Sequence, residues 1–181
     1  MNIVECSIEG PMIIEPKVFG DDRGFFMESW NQAAFKKSGL DCTFVQDNHS
    51  RSSRGVLRGL HFQNPCGQGK LVRVTSGSVW DVVVDVRKTS PNFGKWFGVE
   101  LSATNKRMLW VPEGFAHGFL TLMDGTDFLY KCTERYAPEY EHTLAWDDPD
   151  VAIEWPLDGI EPQLSAKDQE GVKLGELAML A

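Results

Sequence analysis

Between Gly77 and Arg87 the chain reads Ser78-Val79-Trp80-Asp81-Val82-Val83-Val84-Asp85-Val86, a run of β-branched residues that specifies an extended strand. Side chains alternate faces along a strand, so Trp80, Val82, Val84 and Val86 share one side, with Val79, Asp81, Val83 and Asp85 on the other. Two carboxylates among valines predict a partly polar interior on that second side. Strand patterns recur over 24–30, 70–75, 96–101, 107–111, 118–123 and 128–133, and Asp124-Gly125 is expected to turn a hairpin between the last two. Helical signals are few: Asn31 can cap a short helix over 32–38 that Gly39 ends, and 167–180 can hold one or two further turns. Short strands at regular spacing, without repeats or linkers, predict an all-β sandwich or jelly-roll barrel with a few short helices and a cavity between its walls. At 181 residues a single domain over 1–181 is expected.

A formal net charge of −8 argues against nucleic acid as a partner, since that binding needs a basic footprint. The average hides an asymmetry. Residues 48–80 contain no Asp or Glu yet carry Arg51, Arg54, Arg58, Lys70 and Arg73, whereas 134–168 is strongly acidic. Such blocks are commonly two solvated faces; a basic segment can also hold a small anion such as a phosphate ester. No apolar run is long enough to span a bilayer, so no membrane partner is expected, and the N-terminal segment lacks a secretory pattern. Cys6, Cys42, Cys66 and Cys132 form no CxxC or zinc-type spacing, which suits reduced thiols in the cytoplasm.

Two segments partly match the paired motifs of the cupin superfamily, whose metal-binding members present two histidines, a glutamate and a third histidine. Gly55-Val56-Leu57-Arg58-Gly59-Leu60-His61-Phe62-Gln63 keeps the first histidine but has Gln63 at the place of the second, and Lys70 follows where an acidic ligand is usual. Pro112-Glu113-Gly114-Phe115-Ala116-His117 keeps the last histidine. A catalytic zinc or iron site normally takes three protein ligands, and an ammonium nearby opposes a cation. A cupin-type jelly roll with no metal and no other cofactor is therefore expected, although His49 or a carboxylate could supply a missing ligand.

A closer resemblance runs through five ordered blocks. Gln46-Asp47-Asn48-His49-Ser50-Arg51-Ser52, the Gly55 to Gln63 segment, Asp85-Val86-Arg87-Lys88-Thr89-Ser90-Pro91, Val111-Pro112-Glu113-Gly114-Phe115-Ala116-His117-Gly118-Phe119 and Leu164-Ser165-Ala166-Lys167-Asp168 resemble the signatures of the dTDP-4-dehydrorhamnose 3,5-epimerases. The resemblance covers nearly the whole chain. It implies inversion at C3 and C5 of dTDP-4-dehydro-6-deoxy-D-glucose to give dTDP-4-dehydro-L-rhamnose, a precursor for lipopolysaccharide or cell-wall polysaccharide, by a homodimer whose N-terminal strands add to the partner's sheet.

In that family the C4 ketone acidifies the neighbouring C–H bonds, and the resemblance assigns the roles. His61 resembles the base, Asp168 its orienting carboxylate, and Tyr130 the proton donor on the other face, provided its environment lowers the usual phenol pKa. Lys70 resembles the cation beside the C4 oxygen, assisted by Arg58 and His117, and Asp85 is expected to pair with His117. Arg23, Glu28, Gln46, Asp47, Asn48, Glu141 and Lys167 match substrate-contact positions, and Tyr136 matches the ring that stacks on thymine.

Each assignment has a purely structural counterpart. A lone histidine, or a tyrosine alternating with Cys132 and Glu134, is ordinarily a packing residue, and for Asp85 a structural hydrogen bond weighs as much as a catalytic one. Arg51 and Arg54 read as solvated or interfacial, and the tryptophans at 80, 96, 110, 146 and 155 as core or interface. Three other functions fit the same motifs: an epimerase acting only at C3 or only at C5, a non-catalytic cupin that binds a nucleotide sugar, and a metal-dependent cupin dioxygenase or isomerase.

Overall fold

In the computed structural model, which describes residues 1–180 with side chains through 177, two antiparallel sheets face each other. The six-stranded sheet has the order β1 (Asn2–Glu5), β2 (Met12–Glu15), β10 (Met108–Val111), β7 (Lys70–Ser76), β12 (Thr126–Cys132) and β5 (Gln46–Ser52). The five-stranded sheet has the order β13 (Glu141–Thr143), β6 (Leu57–Gln63), β11 (Phe115–Thr121), β8 (Ser78–Asp85) and β9 (Trp96–Ser102). Neither sheet closes onto the other by hydrogen bonds, so the expected cupin-type all-β fold takes the form of a jelly-roll-like sandwich instead of a closed barrel.

The alternation in β8 partitions as its sequence predicts. Val79 and Val83 enter the core between the sheets with Val72, Val74, Leu109 and Phe128 of the facing sheet. Val82 and Val84 pack on the outer side with Leu144, Val151, Leu174 and Leu177. That outer cluster is completed by α3 (Leu174–Leu180), whose first N–H groups need partners; Leu174 N–H donates to the buried Asp148 carboxylate at 2.6 Å. A third cluster joins α1 (Gln32–Lys37) to the outer face of the six-stranded sheet through Phe35, Leu71 and Met108. Asn31 caps α1 by accepting from the Ala34 N–H at 3.1 Å, and Gly39 follows with φ +92°, as expected from sequence.

One expectation needs correction. Asp124-Gly125 does form a turn, but β11 and β12 lie in opposite sheets, so it carries the chain across the sandwich and closes no hairpin. The one isolated hairpin among the described residues is β3 (Val18–Asp21) with β4 (Gly24–Met27), which exposes Val18, Phe19, Phe25 and Phe26. Isolated two-stranded hairpins are marginal alone, and such an apolar surface is costly in water.

Candidate active site

Side chains of both sheets meet around a cavity of about 360 Å³ between them. β5 contributes Gln46, Asn48 and Ser50, whereas its alternate residues Asp47, His49 and Arg51 face the other way. Asp47 pairs with Lys131 at 3.0 Å, and His49 and Arg51 both engage Asp127. His49 is therefore committed outside the cavity and supplies no third ligand to His61 and His117. Among the described residues no group of three or more His, Cys, Asp or Glu side chains is arranged to hold a metal ion.

Arg58 and His61 are three residues apart on β6, and simple alternation would send them to opposite faces. Both line the cavity. The register with β11 explains this: His117 pairs with His61 and Phe119 with Arg58, so one extra residue on β6 is absorbed between them as a bulge. Gly59 makes it possible, with φ +108° and an approach so close that a Cβ would lie 2.5 Å from the Gly118 Cα.

His61 Nε2 lies 2.7 Å from Asp168 Oδ1. Asp168 sits in the short helix α2 (Ala166–Gln169), where Ser165 accepts from its N–H and donates its hydroxyl to Oδ2 at 2.6 Å. The Gly59 N–H also donates to Oδ1, at 3.2 Å. Burial alone would raise the Asp168 pKa, but the hydrogen bonds from His61, Ser165 and Gly59 outweigh it and hold the carboxyl at about 2. It stays ionised at neutral pH and can orient the ring and stabilise an imidazolium. Ser165 was not singled out from sequence, although its place three residues before Asp168 is a recognisable cap.

The second histidine has a different partner from the one expected. His117 Nε2 is 3.0 Å from Asp81 Oδ1 and 3.1 Å from Oδ2, while Asp85 is bound by Arg87 and Ser90. His117 stands opposite Val83 in the ladder, so Asp81 and Asp85 are diagonal neighbours on the same face. Parity could not choose between them; the loop after β8 does, because Arg87 folds back onto Asp85. Burial pushes the Asp81 carboxyl up, opposed by the adjacent His117.

Lys70 and Tyr130 enter from the six-stranded sheet, facing His61 and His117 across the cavity. Burial lowers the Lys70 pKa, against the opposing influence of Cys132, Glu141 and Asp81. The condition of a lowered phenol pKa at Tyr130 is not met: burial raises it, and the nearby Arg58 guanidinium only partly offsets this. The phenol is protonated at neutral pH, as a donor must be, and burial makes it a weaker acid than a free tyrosine.

At the cavity mouth the Tyr136 ring is half exposed, and its hydroxyl donates to Glu141 Oε2 at 2.8 Å. Lys167 bridges both Glu141 oxygens at 2.9 Å. Gln46 accepts from the Tyr136 N–H at 2.9 Å and donates to Asn48 at 3.0 Å. Three expected contact residues are not brought to this cavity. Asp47 faces outward, Glu28 accepts from Asn31, and Arg23 lies in the exposed hairpin turn bonded to Asp21.

A family model described as dTDP-4-dehydrorhamnose 3,5-epimerase matches residues 5–176. The chain belongs to the dTDP-4-dehydrorhamnose 3,5-epimerase family. It is an isomerase of the epimerase type. It is 55% identical over 172 residues to the Pseudomonas aeruginosa protein of that name, covering 94% of each chain. It is also 55% identical to the Escherichia coli protein over 183 residues, covering 99% of this chain and 98% of that one. Among solved structures, a dTDP-6-deoxy-D-glucose-3,5-epimerase from Legionella pneumophila in complex with dTDP-4-keto-L-rhamnose superposes with a TM-score of 0.93 at 51% identity, covering 97% and 96% of the two chains.

Proposed function

We propose that the chain converts dTDP-4-dehydro-6-deoxy-D-glucose to dTDP-4-dehydro-L-rhamnose, inverting C3 and C5 in turn. The observation that carries this reading is that His61 and Tyr130 reach one cavity from opposing sheets. Inversion at a carbon next to a ketone needs a base on one face of the sugar and an acid on the other. His61, oriented by Asp168, removes the proton; Tyr130, a protonated phenol, returns one from the far side.

The electrons released by deprotonation collect on the C4 oxygen as an enolate. Lys70 lies buried in the cavity; burial lowers its pKa, a developing anion beside it opposes that shift, and the ammonium stabilises the anion with little screening from water. Arg58 and the His117–Asp81 pair complete that polar wall, with Asp81 in the positioning role first expected of Asp85. Gln46, Asn48, Tyr136, Glu141 and Lys167 form the nucleotide side, Tyr136 offering its face to thymine. The whole chain acts as one domain in this reading, because the site draws on residues from Gln46 to Asp168. Its four free thiols suit the reducing cytoplasm.

The test is a proton NMR spectrum of product formed from dTDP-4-keto-6-deoxyglucose, trapped with a 4-keto reductase. Inversion at both C3 and C5 is expected. A product inverted at one centre only would replace this reading with that of a single-centre epimerase.

The working unit is a homodimer in the same reading. The hairpin β3–β4 carries Phe19, Phe25 and Phe26 at 53%, 60% and 65% exposure, and it also carries Arg23 outside the chain's own cavity. β1 and β5 are free edges of the six-stranded sheet. N-terminal strands seated on a second copy would cover these groups and deliver Arg23 and Glu28 to the partner's cavity. Light scattering at working concentration should report twice the mass of the chain, and a monomer would contradict it.

A further inference from the structure

Gln63, the last residue of β6, is buried and spends its whole amide on backbone. Its Nε2 donates to the carbonyls of Cys66 at 2.7 Å and Arg135 at 3.2 Å, and its Oε1 accepts from the Ala137 N–H at 2.9 Å. Residues 133–137 run between the end of β12 at Cys132 and the 3₁₀ turn Pro138–Tyr140, and belong to neither. Backbone without a ladder needs other partners. Here side-chain amides supply them at three successive residues: Gln63 holds Arg135 and Ala137, and Gln46 holds the Tyr136 N–H between them.

The ring of Tyr136 is half exposed, so packing does little to fix its position; its hydroxyl is tied to Glu141 at one end, and the backbone that bears it fixes the other. Gln63 itself does not line the cavity containing His61. It lines a second cavity with Phe62, Cys66 and Glu113. We propose that Gln63, at the place where metal-binding cupins carry a histidine ligand, is a positioning residue that sets Tyr136 for the nucleotide half of the substrate. This rests on the reading of Tyr136 as the thymine-stacking ring.

The experiment compares the full-length wild type with Gln63→Met, Gln63→Glu and Tyr136→Ala. Calorimetry gives the dissociation constant of dTDP, steady-state kinetics give kcat and KM, and NMR gives the exchange rate of the Ala137 amide. Methionine keeps the volume and loses every hydrogen bond. Gln63→Met should raise the dTDP dissociation constant and the KM about tenfold, the size expected from a few lost hydrogen bonds. The Ala137 amide should exchange at least about tenfold faster, while kcat stays within about twofold. Gln63→Glu keeps an acceptor for Ala137 and loses both donors, so its affinity should fall while Ala137 stays protected; it carries the comparison if the methionine variant does not fold.

Unchanged dTDP affinity in the folded variants, or a loss confined to kcat, would overturn the proposal. The underlying reading fails separately: if Tyr136→Ala bound dTDP as tightly as the wild type, Tyr136 would not be the stacking ring, whatever Gln63 does to the Ala137 amide.

Discussion

His61→Ala is expected to lower epimerisation by about 10³-fold or more, and to abolish exchange of the C3 and C5 hydrogens with solvent. Both losses follow from one cause. A carboxylate is intrinsically a weaker base than an imidazole, and Asp168 stays bonded to Ser165 and the Gly59 N–H, so it is not placed to take over proton abstraction. Lys70 and Tyr130 reach the site from the other sheet. His117, the other histidine of that wall, is paired with the buried Asp81 and assigned to the enolate oxygen. Rate measurements at saturating substrate, with dTDP affinity as the control, check this: affinity should be nearly unchanged. Retention of solvent exchange in His61→Ala would mean that another group is the base.

Lys70→Met should lower kcat by about 10²- to 10³-fold, the range seen when a single donor to a developing oxyanion is removed. The fully buried amine makes its main difference when charge arrives on the C4 oxygen, because the ketone of the ground state carries little. KM and dTDP affinity should therefore move far less than kcat. Methionine fills the same space between β7 and the cavity without an unpaired polar group, so folding should survive. A variant whose KM rose while kcat held would make Lys70 a ground-state contact, and the enolate stabiliser would have to be sought in Arg58 or His117.

Much of the framework was legible in the sequence wherever a local rule decides. The valine run set β8 and both of its faces, and Asn31 and Gly39 bracketed α1. Readings failed where the answer depends on which strands meet. Alternation puts Asp81 and Asp85 on one face and cannot say which is free for His117; the capture of Asp85 by Arg87 and Ser90 settles that through a turn beyond the strand. Alternation would also have separated Arg58 from His61, which the bulge at Gly59 reunites. The turn at Asp124-Gly125 was visible, but its crossing between sheets was not, because a turn signal carries no information about which sheet its strands join. β2, with only Ile13 and Ile14 buried in a four-residue strand, gave no pattern long enough to read. The resemblance named residues that do line one cavity, and it also named Arg23, Glu28 and Asp47, which in this chain lie outside it.

The central claim is a division of labour between opposite walls, His61 removing the proton and Tyr130 returning one from the other face. Its most direct measurement follows both the deuterium content and the C3 and C5 configuration of substrate recovered from deuterium oxide, for the wild type, His61→Ala and Tyr130→Phe. Tyr130→Phe leaves His61, Asp168 and Lys70 in place, so abstraction continues and the imidazolium can return a solvent deuteron to the face it came from. Deuterium should then enter with the original configuration kept, exchange outrunning inversion, while His61→Ala shows neither. If Tyr130→Phe lost exchange as completely as expected for His61→Ala, and His61→Ala kept it, the two roles would be reversed; inversion at the normal rate in both variants would contradict the account outright.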